Sequence, residues 1–383
     1  MVYKKLSEIS INNKGYYGIG ASSCERKQDL PQYLRITDIS DDGRIPSILP
    51  TCIDKIEYSD YCNYILSKGD LLLARTGNST GRNHLYKKDD KNTVFAGFLI
   101  KFSLDDKLIN PYYVGYYCQS KSYNNQIEAM VTGSTRPNIN AEQYGDLLIP
   151  VCDSTTQQHI VDSIGSVDDA IEKNEEIIDK IYSFLTNKFN ELVYDKNAIS
   201  FGDLKYWNIV KSGIDKFEGN KIYIDTSSVS NKSIIDTNYN ITYVDRPSRA
   251  NMQPLPNTVW FAKLKDSPKY IIVKNSSKRI LNNYVLSTGF MGLEAADYII
   301  NYLYLLILSS SFSNQKDASS TGATMMGINN DILYSIKVPN ITKSEACSFG
   351  KEIDIFIETI IRLQEKNYIL KTIKKNLLSK YFD

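Results

Sequence analysis

Two polar segments carry the side chains in this sequence that are best suited to gripping a polar polymer. The first segment, residues 69–82 (GDLLLARTGNSTGR), contributes Arg75, Thr76, Asn78, Ser79, Thr80 and Arg82. The second segment contributes Ser134, Thr135, Arg136 and Asn138. Arginine forks onto guanine or phosphate, asparagine onto adenine, and short hydroxyl groups onto either. These residue types predict a surface that contacts nucleic acid, and a solvated loop is an equal alternative at any single position.

The second half of the chain holds a related set of cations and hydroxyl groups. The residues predicted to contact nucleic acid there are Arg246, Arg249, Lys263, Lys265, Lys269 and Thr324. Further residues near them are Lys274, Lys278, Arg279 and Thr321. The whole chain has 45 Lys and Arg against 44 Asp and Glu. This balance permits nucleic-acid binding without arguing for it, because affinity depends on where the cations lie.

Residues suited to catalysis or metal binding are sparse. The only histidines, His84 and His159, have no partner at metal-ligand spacing, and the six cysteines form no CxxC pair. The segment Asn110-Pro111-Tyr112-Tyr113 resembles the Asn-Pro-Pro-Tyr box of adenine methyltransferases, but it lacks the second proline and no cofactor loop precedes it. We therefore predict no metal site and no catalytic centre in this chain.

The apolar stretches are too short for a membrane span. The longest, near residues 298–308, is interrupted by Asn301 and falls short of the roughly 20 residues that a bilayer requires. The first residues, MVYKKLSEIS, have no signal-peptide core. We therefore expect a cytoplasmic protein without membrane contact.

An internal repeat organises the chain. The block 130–150 aligns without gaps to the block 319–339, with six identical residues in 21 positions where chance gives about one. Each block ends in an apolar, strand-like run and is followed by a long helical pattern. The two halves of the chain are therefore expected to fold alike.

The helical patterns are two heptad seams with matching length and phase. The first runs through Ile160, Ile164, Val167, Ile171, Asn174, Ile178, Ile181, Leu185, Lys188 and Leu192. The second runs through Phe349, Ile353, Phe356, Ile360, Leu363, Asn367, Leu370, Lys374, Leu377 and Tyr381. Two unrelated core helices would not predict such a match, so we expect the helices to pair. In an antiparallel pair Asn174 lies opposite Asn367, and a buried Asn pair would fix the register.

The predicted fold class is α+β, with two α+β domains in tandem pseudo-repeat separated by a long antiparallel two-helix coiled coil. Each globule shows short strand and turn patterns, such as the strand predicted over Thr93–Leu104, and a helix after Asn110-Pro111. The expected segments are 1–152 and 196–340 for the globules and 153–195 and 341–383 for the helices.

These patterns together resemble the specificity (S) subunit of type I restriction-modification systems. The resemblance covers nearly the whole chain and depends on YLRITDIS, GDLLLARTGNSTG, the block from residue 132 into the first long helix, and a degenerate second copy that ends in LLSKYFD. The second copy departs from the family pattern at Ser344-Glu345-Ala346, where a Gln-rich helix start is common.

The resemblance implies that each globule is a target recognition domain that reads one half of a bipartite, asymmetric site in double-stranded DNA. It implies that the paired helices set the gap between the halves. It also implies two modification subunits, which bind S-adenosylmethionine and methylate adenine N6, and two restriction subunits, which use ATP and magnesium. This chain itself would be non-catalytic.

Two alternatives stay open at this stage. One is the specificity subunit of a solitary methyltransferase that has no restriction subunit. The other is a coiled-coil adaptor protein without DNA readout, which would explain the helices but not two loop-rich globules of repeat origin.

Overall fold

The structure is a computed structural model that describes residues 2–54, 57–132, 137–235, 239–322 and 326–383. The chain divides into two compact units. Unit 1 comprises residues 1–170 and 370–383, and unit 2 comprises residues 171–369. Each unit thus contains one globule with part of each long helix. The division into separate globules and whole helices given above stays a prediction.

The described elements follow one another in chain order, and the two halves have similar lists. From residue 2 to residue 193 they are β1 (Val2–Lys5), β2 (Tyr16–Tyr17), β3 (Ser23–Glu25), β4 (Gln32–Leu34), β5 (Thr51–Ile53), α1 (Tyr58–Tyr61), β6 (Asp70–Ala74), β7 (Asn83–Leu85), β8 (Thr93–Phe95), β9 (Leu99–Ser103), α2 (Pro111–Tyr117), α3 (Lys121–Val131), α4 (Ala141–Gly145), β10 (Leu148–Val151) and α5 (Ser154–Val193). From residue 198 onward they are β11 (Ala198–Ser200), β12 (Trp207–Ile209), β13 (Lys221–Ile224), β14 (Val229–Ser230), β15 (Ser233–Ile234), β16 (Asn240–Ile241), β17 (Ala250–Met252), β18 (Thr258–Ala262), β19 (Tyr270–Val273), α6 (Lys278–Asn283), β20 (Tyr284–Ser287), β21 (Phe290–Ala295), α7 (Ile299–Leu308), α8 (Ser310–Ala318), α9 (Asn330–Ser335), β22 (Lys337–Pro339) and α10 (Lys343–Phe382).

Corresponding sheets build the two globules. Unit 1 has a sheet of order β2-β9-β6-β7, and unit 2 has one of order β12-β21-β18-β19. A second sheet contains one parallel pair in each unit, β4 with β8 and β13 with β20. A short antiparallel pair closes each globule, with Tyr3 opposite Pro150 and Ala198 opposite Pro339. The α+β class and the tandem repeat predicted from the sequence are confirmed.

The long helices α5 and α10 are each 40 residues long. They run antiparallel within each unit. In unit 2, Lys188 Nζ lies 3.4 Å from a carboxylate oxygen of Glu352, and Asn174 Nδ2 donates to Asn367 Oδ1 at 2.6 Å. In unit 1, Lys374 Nζ lies 2.7 Å from Asp168 Oδ1. Polar pairs therefore occur in the seam together with the apolar residues.

Half of the twenty predicted seam residues are buried, and the other half, including Leu370, are half-buried. The buried ones are Ile160, Ile164, Ile171, Asn174, Ile178, Leu185, Phe349, Ile353, Ile360 and Asn367. Later along α5 the buried face shifts, so that Tyr182 and Phe189 are buried while Ile181 and Lys188 are only half-buried. The buried face shifts because a further helix packs against α5 in this region.

This further helix is α7 of unit 2. Tyr304 shares a 2.8 Å hydrogen bond with the Tyr182 hydroxyl, and the Tyr302 ring centroid lies 6.0 Å from that of Phe189. In unit 1 the predicted Leu377 and Tyr381 are only half-buried, and Leu378 and Phe382 are buried instead. Heptad spacing alone does not predict these shifts. It describes the contact between two helices and takes no account of the globules that pack against them.

The prediction of a single strand over Thr93–Leu104 is wrong. It forms β8 and β9, which belong to different sheets, and Leu99 N donates to Ala96 O at 2.8 Å in the turn between them. The helical run predicted over residues 110–127 forms two helices, α2 and α3, with the Asn110 side chain accepting from Tyr112 N at the start of α2. Within the described part of the chain, no helix combines the length and apolar character needed to span a bilayer.

Candidate nucleic-acid interface

The predicted contact residues of unit 1 lie on the hairpin loop between β6 and β7, which we call loop A (residues 75–82). The loop contains one 3-10 turn, Gly77–Ser79. Gly77 and Gly81 have φ angles of +69° and +90°. A Cβ atom at Gly81 would lie 2.6 Å from Ile127 Cγ2. Glycine is therefore required at 81 for both conformation and space.

The structure brings loop A against part of the second predicted segment, which we call return segment A (residues 137–139). Gly77 N donates to Pro137 O at 3.1 Å, and Ile139 N donates to Arg75 O at 2.9 Å. An isolated antiparallel bridge joins Thr76 to Asn138. Two segments about 60 residues apart thus form one surface. The other members of the second segment, Ser134, Thr135 and Arg136, lie outside the described residues.

Two buried tyrosine hydroxyls form hydrogen bonds to the ends of loop A, and no pattern in the sequence predicts either contact. Tyr144 Oη donates to Ala74 O at 2.6 Å and accepts from Gly81 N at 3.2 Å. Tyr123 Oη donates to Gly81 O at 2.8 Å. Burial raises the pKa of both hydroxyls, so both remain neutral donors. They fix the two ends of the loop.

The arginines at the two ends of loop A have different surroundings. Arg82 donates to Asp41 Oδ1 at 2.6 Å and to Ile39 O at 3.2 Å. Arg75 lies with its guanidinium carbon 4.8 Å from the ring centroid of Tyr17. Its buried Nε has no hydrogen-bond partner among the described residues. The Arg82 guanidinium therefore already has hydrogen-bond partners within unit 1, whereas the Arg75 Nε atom has none among the described residues.

Two of the remaining loop A residues, Asn78 and Thr80, line a cavity in unit 1. Asn78 is exposed, while Thr76, Ser79 and Thr80 are half-buried. Thr80 Oγ1 donates to Gly77 O at 2.8 Å. A cavity of about 610 Å³ has Asn78, Thr80 and Arg82 on one side and Lys371, Lys374 and Lys375 of α10 on the other. Asp41, Asp42 and Glu128 also line the cavity, so it presents charges of both signs together with amide and hydroxyl groups.

Unit 2 repeats this backbone geometry with different side chains. Its loop B (residues 263–269) joins β18 to β19, and its return segment B comprises residues 326–328. Ile328 N donates to Lys263 O at 3.1 Å, and Lys265 N donates to Met326 O at 2.9 Å. Isolated bridges join Gly327 to both Leu264 and Thr321. Thr324 lies outside the described residues.

Two of the predicted cations of unit 2 lie near each other. Burial, and then the charge of Arg249, lower the pKa of Lys263. Lys263 N donates to Gly289 O at 3.0 Å, and Thr288 N donates to Arg249 O at 2.8 Å, so one turn holds both residues. Two like charges held together in this way suit an anionic ligand.

The other predicted cations of unit 2 are Lys265, Lys269 and Arg246. Lys265 is exposed. Lys269 Nζ donates to Thr226 O. Arg246 donates to Tyr243 O, and its guanidinium carbon lies 4.2 Å from the Tyr243 ring centroid. The structure thus places Lys263 and Arg249 on one turn, and Lys269 contacts Thr226, which lies beside the same turn at Gly289.

Lys274 and Arg279, which the sequence grouped with the nucleic-acid cations, face helix α10 instead. Lys274 is 4% exposed and forms ion pairs with Asp354 and, at 3.4 Å, with Glu358. Arg279 Nε donates to Glu365 at 3.0 Å. Both cations therefore form ion pairs between the globule of unit 2 and α10. The described residues contain no cluster of three His, Cys, Asp or Glu side chains that could hold a metal ion.

Comparison with known proteins gives one family match, over part of the chain. Residues 4–183 match the family described as the type I restriction modification DNA specificity domain. The fold is similar to that of the type I restriction-modification system S subunit from M. genitalium, at 16% identity and a TM-score of 0.55, over 100% of this chain and 96% of the other. The HsdS subunit from Thermoanaerobacter tengcongensis is matched over 100% of this chain and 96% of the other, at 14% identity and a TM-score of 0.37. No protein with a curated description matches the sequence.

Proposed function

We propose that this chain is the DNA-recognition subunit of a type I restriction-modification complex and reads a bipartite, asymmetric site. The observation that carries the proposal is the repeated surface, in which loop A with return segment A and loop B with return segment B share one backbone geometry. A scaffold without DNA readout has no need of two such surfaces. The family match over residues 4–183 supports the same function.

Each unit would read one half of the site. Residues on loops A and B that carry amide, hydroxyl and guanidinium groups suit the edges of bases, and nearby ammonium groups suit phosphates. Arg75 and Asn78 in unit 1 have no matching residue type in loop B, where lysines predominate. The two halves of the DNA site are therefore expected to differ.

The partners of the proposed complex supply the chemistry. Two modification subunits would bind S-adenosylmethionine and methylate adenine N6 after flipping the base, and two restriction subunits would hold ATP and magnesium. The helices of unit 2 offer apolar groups for such contacts, because Ile177, Phe184, Ile355 and Ile369 are 38%, 41%, 66% and 58% exposed. This chain would contribute recognition without catalysis.

The test is co-expression with a modification subunit encoded beside it, followed by mapping of N6-methyladenine in the host DNA. The expected result is one split motif methylated on opposite strands in its two halves. An assembled complex that methylates nothing would contradict the proposal and favour a coiled-coil adaptor. Cleavage of unmethylated DNA after a restriction subunit is added would separate the full system from a solitary methyltransferase.

A further inference from the structure

We propose that Arg75 reads a guanine in the half-site contacted by unit 1, and that Tyr17 is the positioning residue that holds its guanidinium group for this purpose. This inference rests on the proposed function and adds a base and a positioning residue to it. Tyr17 belongs to strand β2, at the edge of the sheet that also contains β6, and loop A follows β6 directly.

The Arg75 backbone is fixed on both sides. Its N–H donates to Phe98 O at 3.0 Å, and its carbonyl oxygen accepts from Ile139 N at 2.9 Å. The side chain then packs on the Tyr17 ring, at 4.8 Å from the guanidinium carbon to the ring centroid. The direction of the arginine is thus set by strand β2, by the turn after β8 and by return segment A.

Tyr17 is itself held in place. Its hydroxyl oxygen accepts from Ala141 N, the first residue of helix α4, at 3.1 Å. Tyr17 is 43% exposed, so part of this residue remains accessible to a ligand. A single side chain therefore connects the edge strand, the Arg75 guanidinium and the start of the helix that follows return segment A.

One donor of the guanidinium group is left without an acceptor. The Nε atom of Arg75 is buried and has no hydrogen-bond partner among the described residues. A buried donor without a partner costs free energy that folding alone does not recover. A ligand that brings acceptors would recover part of that cost. The contrast with Arg82, whose guanidinium is bound by Asp41 and Ile39 O, shows that the fold can satisfy an arginine in this loop.

A guanine suits this arrangement better than a phosphate does. A guanidinium held over a ring has restricted motion, and its forked N–H groups match the coplanar O6 and N7 acceptors of guanine. A phosphate accepts from many directions and gains little from such restriction. The two ligands also differ in what they predict, because loss of a base contact relaxes one position and loss of a phosphate contact weakens binding to every sequence.

The experiment uses the full chain assembled with its modification subunit and duplexes that carry the mapped motif or single-base changes in it. Arg75→Ala should remove the preference for guanine at one position, a change of about 5- to 150-fold in relative affinity. Tyr17→Leu should weaken the same preference by about 2- to 5-fold, because the cation–π contact is lost. Tyr17→Phe keeps the ring and should retain most of the preference.

Tyr16→Leu is the matched control. Tyr16 is the neighbouring residue of β2 and has Lys14 Nζ 5.0 Å from its ring centroid, so the change removes a tyrosine and a cation contact at the same strand without touching Arg75. We expect no change in base preference. Thermal unfolding of each variant separates loss of recognition from loss of fold.

Three results would overturn the inference while leaving the proposed function intact. The motif half that changes with Arg75→Ala could contain no guanine preference, or binding could weaken equally for all sequences, or Tyr17→Leu could leave the Arg75-dependent preference untouched. A wild-type complex that yields no methylated motif would instead contradict the proposed function itself.

Discussion

Loop A, the proposed recognition surface of unit 1, depends on buried residues that support it. The Tyr144 hydroxyl contacts both ends of loop A, at Ala74 O and Gly81 N. The Tyr123 hydroxyl adds a third hydrogen bond at Gly81 O. The two ends of loop A are therefore fixed by hydrogen bonds to buried side chains.

We expect Tyr144→Phe to destabilise the protein by about 1 to 2 kcal/mol, because one buried hydroxyl and its two hydrogen bonds are removed. The free energy of unfolding in urea measures this effect. Tyr3→Phe, at a residue that is 59% exposed, is the control and should change stability by less than about 0.5 kcal/mol. Equal effects for the two variants would contradict the supporting role of Tyr144.

His84 should make stability depend on pH. Burial lowers the pKa of its imidazole to about 4, whereas the unfolded chain titrates near 6.5. Between these values the unfolded state binds more protons than the folded state. The stability due to the neutral ring is therefore present above pH 6.5 and is lost as the pH falls toward 4.

Between pH 7 and pH 4, the wild-type protein should lose about 3 kcal/mol more unfolding free energy than His84→Gln does. Chemical unfolding at a series of pH values measures the difference in slope. A parallel slope for His84→Gln would refute the assignment.

At the scale of elements, the Asn174–Asn367 pair should set the register of the helices in unit 2. Both side chains are buried and share a 2.6 Å hydrogen bond. Asn174→Leu alone leaves the Asn367 amide without its partner and should cost about 1 to 3 kcal/mol. Adding Asn367→Leu should restore stability but permit other registers.

Cysteine cross-linking reports the register directly. The pair Lys188→Cys with Glu352→Cys lies in register, whereas Lys188→Cys with Thr359→Cys is displaced by one heptad. In the wild-type background only the first pair should cross-link. If the double Leu variant also cross-links only the first pair, the Asn pair does not determine the register.

A second element-scale prediction concerns the contact between the globule and α10 in unit 2. Lys274 is buried against Asp354 and Glu358, so Lys274→Met leaves both carboxylates without their cation. We expect a loss of about 2 to 4 kcal/mol in unfolding free energy. Lys278→Ala, at an exposed residue of α6, is the control and should have little effect. A stable Lys274→Met variant with weakened DNA binding would return this lysine to the nucleic-acid surface.

At the scale of the whole molecule, the repeat predicts that recognition is separable. Loop A belongs to unit 1 and loop B to unit 2. Arg75→Ala should therefore change only one half of the methylated motif, and Lys263→Ala only the other half. Methylome mapping of each variant and of the double variant is the measurement. Changes in both halves from a single substitution would show that the two units do not read independently.

The sequence by itself determined the features that depend on local spacing. Periodicity in residues 160–192 and 349–381 was enough to predict two paired helices, because a seam repeats along one helix without reference to the rest of the chain. The aligned blocks 130–150 and 319–339 were enough to predict two similar globules. Residue types alone identified loop A and its return segment as polar surfaces.

The tertiary structure decided what depends on contacts between distant segments. Tyr17, Tyr123 and Tyr144 support loop A from three different elements, and no spacing in the sequence relates them. Lys274 and Arg279 have the residue types of nucleic-acid contacts, yet α10 takes their charges. A charged side chain pairs with whichever opposite charge the fold brings next to it. The local sequence does not show which residue that will be.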